Sequence, residues 1–138
     1  MTPRQIALVR ETFASVAPAA DTVAALFYGK LFALDPALRP MFKGDIGEQG
    51  KKLMQALSFT IAGLEEPNKI VPVLHDLGRK HRGYGVESGH YDTVGAALIA
   101  TLEEGLAASF TPDVREAWGA AYGLVAATMQ AGAAQRAA

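Results

Sequence analysis

The sequence predicts an all-α fold of about six main helices, and three observations point that way. Apolar residues recur at helical spacing along nearly the whole chain. Strand-like alternation is almost absent. Helix-start signals, Thr2-Pro3-Arg4-Gln5 and Thr111-Pro112-Asp113, stand directly ahead of apolar stripes.

The elements follow in order. After the Thr2 start, Ile6, Val9, Phe13 and Val16 line one face, and Pro18 interrupts. A second helix carries Val23, Phe27 and Leu31, with Tyr28 on a neighbouring row, and ends near Asp35-Pro36. A short helical turn leads to Pro40-Met41-Phe42, and Lys43 to Gly47 reads as a polar connection. Gln49, Leu53, Leu57, Ile61 and Leu64 form the next stripe, broken at Glu65-Glu66-Pro67. Ile70, Val73 or Leu74, Leu77 and His81 form another, stopped by Gly83 and Gly85. Val94, Leu98, Leu102 and Leu106 define a long helix after Ser88-Gly89. The last helix shows Val114, Trp118, Ala121 or Tyr122, Val125 and Met129, and residues 131–138 are expected to fray.

Composition narrows the function classes. The 138 residues suffice for one core and read as a single domain over 1–138, and half of them are hydrophobic. With no cysteine, disulfide frameworks, thiolate metal sites and cysteine nucleophiles are excluded. Thirteen basic against 14 acidic residues leave a formal charge of -1, which gives no electrostatic case for nucleic acid. Met1 to Gln5 lacks the apolar core of a signal peptide, and no apolar run is long enough to span a bilayer. A soluble cytoplasmic protein is expected, with no membrane partner.

Three inward positions carry polar groups. His81 lies four residues after Leu77, Gln49 four before Leu53, and Tyr28 three before Leu31. Spacing alone leaves each open. His81 fits a core or capping histidine as well as a metal ligand, Gln49 an exposed first-turn residue, and Tyr28 a packed aromatic with a satisfied hydroxyl. His75 falls between apolar rows and His90 in a helix start, so both are expected in solvent.

Five ordered motifs resemble the bacterial single-domain haemoglobins and the globin domains of flavohaemoglobins. They are Leu26-Phe27-Tyr28-Gly29-Lys30-Leu31-Phe32, Pro36-Ala37-Leu38-Arg39-Pro40-Met41-Phe42, Gly78-Arg79-Lys80-His81-Arg82-Gly83-Tyr84-Gly85-Val86, His90-Tyr91-Asp92-Thr93-Val94-Gly95 and Ala117-Trp118-Gly119-Ala120-Ala121-Tyr122-Gly123. The resemblance covers essentially the whole chain. It implies a globin fold around a b-type haem, with His81 as the proximal iron ligand. It places Phe42 against the porphyrin and Tyr28 and Gln49 on the distal side. Leu53 would wall the pocket, and Lys52 would lie near a haem propionate. Tyr91 matches a tyrosine that supports the proximal histidine. An ungapped run from Trp118 puts Ala133 where the family carries a glutamate in that network. Without that carboxylate, electron push toward iron is expected to be weaker.

The resemblance implies a diatomic gas as ligand: oxygen foremost, with nitric oxide and carbon monoxide as further candidates. A tyrosine hydroxyl and a glutamine amide are donors at neutral pH and suit an oxygen ligand that gathers negative charge. Gln49 cannot shuttle protons, which argues against a dedicated peroxidase. It is also a poor iron ligand, so a pentacoordinate haem is expected. Three functions share this pocket: reversible oxygen binding for carriage or storage, nitric oxide dioxygenation, and gas sensing. No flavin or nicotinamide segment is read in the chain, so the enzymatic alternative is expected to need an external reductase.

Overall fold

Helix α1 (Pro3–Val16) opens on the reciprocal cap its first residues encode. The Gln5 amide donates to Thr2 Oγ1 at 3.1 Å, and the Thr2 amide donates to Gln5 Oε1 at 3.0 Å. The computed structural model describes residues 1–134. Pro18 closes a 3-10 turn, Ala17–Ala19, and α2 (Ala20–Leu34) follows. Asp35 ends α2 and starts the short Pro36–Met41 turn, its carboxylate accepting from the Ala37 amide at 3.1 Å. Asp45 caps α3 (Ile46–Ala62) through the Gly47 amide at 2.8 Å. Proline sits in the first turn of α4 (Pro67–Gly83) and of α6 (Pro112–Ala134), where its missing N–H costs nothing. Between them, α5 (Ser88–Leu106) runs the length of the core.

Among the described residues there are six α-helices and no strand, as the apolar spacing predicts. α4 lies along α6 in the most extensive helix contact, while α2 packs on α3 and α5, and α1 on α6. The stripes meet in one core: Val9 from α1, Leu31 from α2, Leu74 from α4, Leu102 from α5 and Trp118 from α6 are all buried. No helix among the described residues is long and apolar enough to cross a membrane. The expected fraying at the end is corrected for its first part. α6 continues through Ala134, with Gly132 buried, and residues 135–138 lie outside the described residues.

One buried polar pair ties the first helix to the last. Trp118 Nε1 donates to Thr12 Oγ1 at 2.8 Å, and that hydroxyl donates to the Leu8 carbonyl at 2.6 Å. Thr12→Val keeps the shape and leaves the indole N–H without an acceptor. The expected loss is about 1–3 kcal/mol of unfolding free energy in a urea titration. An unchanged midpoint would show that the indole finds another acceptor.

Candidate functional site

Tyr28 occupies an aromatic enclosure built by its own helix and the corner after it. Its ring packs edge-on against Phe27 at 5.2 Å and Phe42 at 5.3 Å, and stacks on Phe32 at 5.9 Å. Phe42 closes the group by meeting Phe32 at 5.4 Å, and the Arg39 guanidinium covers Phe32 from outside. Tyr28 is 5% exposed, and its hydroxyl makes no hydrogen bond among the described residues. Burial pushes the phenol up to about 12, so it stays a neutral donor at physiological pH.

That displacement has a signed consequence. A folded-state pKa raised from 10.0 to about 12 stabilises the fold fully below pH 10 and loses its effect as pH rises through 12. The protein is therefore expected to lose stability across that window through Tyr28. Tyr28→Phe should flatten this part of the alkaline unfolding curve. An identical curve would mean that the phenol ionises freely in the folded chain.

Gln49 stands in the first turn of α3, directly before Gly50, where α3 crosses α2. A Cβ on Gly50 would stand 2.9 Å from Ala24 Cβ and 3.9 Å from Tyr28 Cε2. The glycine therefore lets the two helices touch beside Tyr28. Gln49 itself is half-buried and donates its amide to the Lys43 carbonyl at 3.2 Å. Lys52, one turn on, is exposed. Leu53 is half-buried and lines a small apolar cavity of about 10 Å³ with Phe27, Leu57, Leu98, Leu102 and Trp118.

His81 lies in the last turn of α4, half-buried, with its Nδ1 2.6 Å from the Leu77 carbonyl oxygen. A carbonyl only accepts, so Nδ1 carries the proton and Nε2 keeps its lone pair free for a Lewis acid. Of the other histidines, His90 accepts the Glu87 amide at 2.9 Å through its own Nδ1 and serves the start of α5. His75, expected in solvent, is half-buried instead, because its backbone meets Gly132 of α6. The turn after His81 reaches back to the Phe42 corner: Met41 Cε lies 3.9 Å from where a Cβ on Gly85 would stand. Gly85 has a φ of 91°, a conformation that favours glycine.

Where α4, α5 and α6 meet, an open concavity of about 470 Å³ is walled by Gly78, Arg82, Tyr91, Gln130, Ala133 and Ala134 among others. Tyr91 and Ala133 thus line the same concavity, and among the described residues no carboxylate side chain lines it. Ala133 contributes its carbonyl, which accepts from the Arg82 guanidinium at 2.7 Å. Burial raises the Tyr91 phenol above its ordinary value, and the Tyr91 carbonyl accepts from the Tyr122 hydroxyl. A Cβ on Gly95 would press into the Tyr122 ring at 2.7 Å, so that glycine allows α5 to carry Tyr91 against α6.

The donor set suits haem better than a bare ion. Among the described residues no three His, Asp or Glu side chains form a group able to hold a metal ion. A single free imidazole nitrogen, with Leu77 and Val86 nearby as apolar neighbours, suits a metal that brings its own macrocycle. Four glycines in helix interiors (50, 78, 95 and 132) were not singled out by sequence reasoning. The available signal was their position away from any cap, where glycine weakens a helix unless close packing requires it.

A family model described as Globin matches residues 25–129. The chain is a globin. It is 30% identical over 128 residues to a flavohemoprotein of Bacillus subtilis, a match covering 89% of the chain and 32% of that protein. A flavohemoprotein of Bordetella parapertussis is 30% identical over 130 residues, covering 91% of the chain and 32% of its own length. The chain therefore spans about a third of these curated relatives. A bacterial globin from Campylobacter jejuni superposes with a TM-score of 0.83 over 96% of both chains. At 23% identity that likeness shows the fold. Membership in this family implies haem binding.

Proposed function

We propose that this globin binds oxygen reversibly at a pentacoordinate b-type haem held by His81, with Tyr28 as the main donor to the bound gas. The observation that carries the reading is the Tyr28 phenol: its ring is packed among three phenylalanine rings, and its hydroxyl is kept neutral and makes no hydrogen bond among the described residues. Haem, when bound, supplies the ferrous iron at which the gas binds. The protein's own groups do the rest. The Nδ1–H bond to Leu77 fixes the tautomer and orientation of the His81 ring. Phe42, packed edge-on against Tyr28 and Phe32, would cover the porphyrin, and the same ring contacts hold the Tyr28 ring in place beside the gas. Gln49 joins as a second donor by leaving the Lys43 carbonyl, an exchange of one amide hydrogen bond for another. Lys52, exposed one turn beyond Gln49, would be free to meet a propionate.

The flavohemoprotein relatives favour one further reading. Their names join a flavin to a haem, and this chain matches about a third of their length. We therefore infer that a flavoprotein reductase returns oxidised iron to the ferrous state, and that nitric oxide dioxygenation is the enzymatic use of the site. The test supplies nitric oxide, oxygen, NADH and a flavoprotein reductase to the haem-loaded chain. Sustained nitrate formation proportional to globin concentration is the expected outcome for the enzyme. Reversible oxygenation without sustained nitrate leaves oxygen carriage as the function, and failure of both refutes the proposal.

A further inference from the structure

His81 can hold iron at one distance only if α4 itself is held at a fixed depth, and the seat of α4 is unusual. A Cβ on Gly78 would lie 1.8 Å from the Met129 carbonyl oxygen and 2.6 Å from its carbonyl carbon. A Cβ on Gly132 would lie 2.3 Å from His75 Cα and 2.4 Å from the His75 carbonyl oxygen. Both obstacles are backbone, which cannot rotate aside. The contacts fall at residues 75 and 78 of α4, and Arg82 adds a third by donating to the Ala133 carbonyl at 2.7 Å. Spacings of three and four residues put all three on one face of α4. Elsewhere on α6, Gly119 and Gly123 have nothing within 4 Å of a Cβ, so the helix does not require glycine for its own sake.

We propose that Gly78 and Gly132 are positioning residues that set the depth of His81 by letting α4 rest backbone-on-backbone against α6. The proposal rests on His81 being the iron ligand. Gly78 lies one turn before His81, and the His81 ring is tied to that same turn through Leu77. An imidazole tied this way cannot swing to compensate when the helix moves. Adding one methyl at either glycine pushes α4 off α6 and carries the ring with it. Glycine also lowers the stability of a helix interior relative to alanine, so its presence at both positions is matched by the close approach it allows.

The test compares Gly78→Ala, Gly132→Ala and the control Gly123→Ala in two backgrounds, the native chain and His81→Gly supplied with imidazole. Each is loaded with haem, reduced, and read by the iron–imidazole stretching band and by the rate of haem transfer to an acceptor globin. In the native background, the first two variants should shift the band and weaken haem retention about ten- to a hundredfold, while the control does neither. With the tether cut, free imidazole follows the iron and not α4, so the band should be the same whether residue 78 is glycine or alanine. Haem uptake by Gly78→Ala only in the tether-free background is also the proposed behaviour. Native bands in both variants, equal shifts in both backgrounds, or no haem uptake in either background would overturn it. If His81→Gly without imidazole shows the native band, the ligand assignment fails, and the positioning role falls with it.

Discussion

His81→Ala is expected to lose stable haem binding and to recover a native-like ferrous spectrum only when imidazole is added. The reason is the donor set. His81 is the histidine whose Nδ1 is committed to a carbonyl while Nε2 stays free, whereas His90 uses its Nδ1 to hold the start of α5. His75 sits where α4 touches α6, with its backbone against Gly132. His75→Ala and His90→Ala should therefore keep haem, with His90→Ala costing about 0.5–2 kcal/mol of stability through the lost cap. Pyridine haemochrome titration of the three purified variants separates the cases. Full haem content with an unperturbed spectrum in His81→Ala would remove the assignment.

Tyr28→Phe is expected to speed oxygen release about ten- to a hundredfold. A hydrogen bond to a charged acceptor contributes roughly 1.5–3 kcal/mol net, and about 1.4 kcal/mol is a factor of ten in rate. The substitution removes only the hydroxyl, and the ring contacts with Phe27, Phe32 and Phe42 remain. Carbon monoxide gathers little negative charge, so its release should change far less. Gln49→Leu should act in the same direction with a smaller effect, because its amide must first leave Lys43. The two losses are not expected to add, since both donors address one ligand. Stopped-flow displacement of each gas from both single variants and the double variant measures this. Equal changes for oxygen and carbon monoxide would make Tyr28 a packing residue.

The helices were legible because their information is local. Ile6, Val9 and Val16 repeat at helical spacing, and Thr2 with Gln5 encodes a cap that needs no tertiary partner. Spacing also placed Tyr28 and Trp118 inside. It did not reveal that Gly78 and Gly132 face each other's helices, because a glycine's lack of a side chain has no periodicity and its meaning depends on a helix some fifty residues away. The same holds for Gly50 against Ala24 and for Gly95 against Tyr122. Spacing put Gln49 on an inward row, yet its amide turns to Lys43, a choice between two acceptors of similar strength. Over residues 131–134 the end of α6 departs from the expected fraying. The approach of Gly132 to α4 holds that turn.

One optical experiment bears most directly on the central claim, that His81 holds a haem whose opposite face is open to gas beside the Tyr28 hydroxyl. The haem-loaded chain is reduced under argon, and its spectrum is recorded before and after oxygen and, separately, carbon monoxide. The account predicts a five-coordinate ferrous spectrum, conversion by either gas to a six-coordinate form, and full return to the starting spectrum when the oxygen is removed. A ferrous spectrum already six-coordinate under argon, or one that neither gas alters, would contradict it.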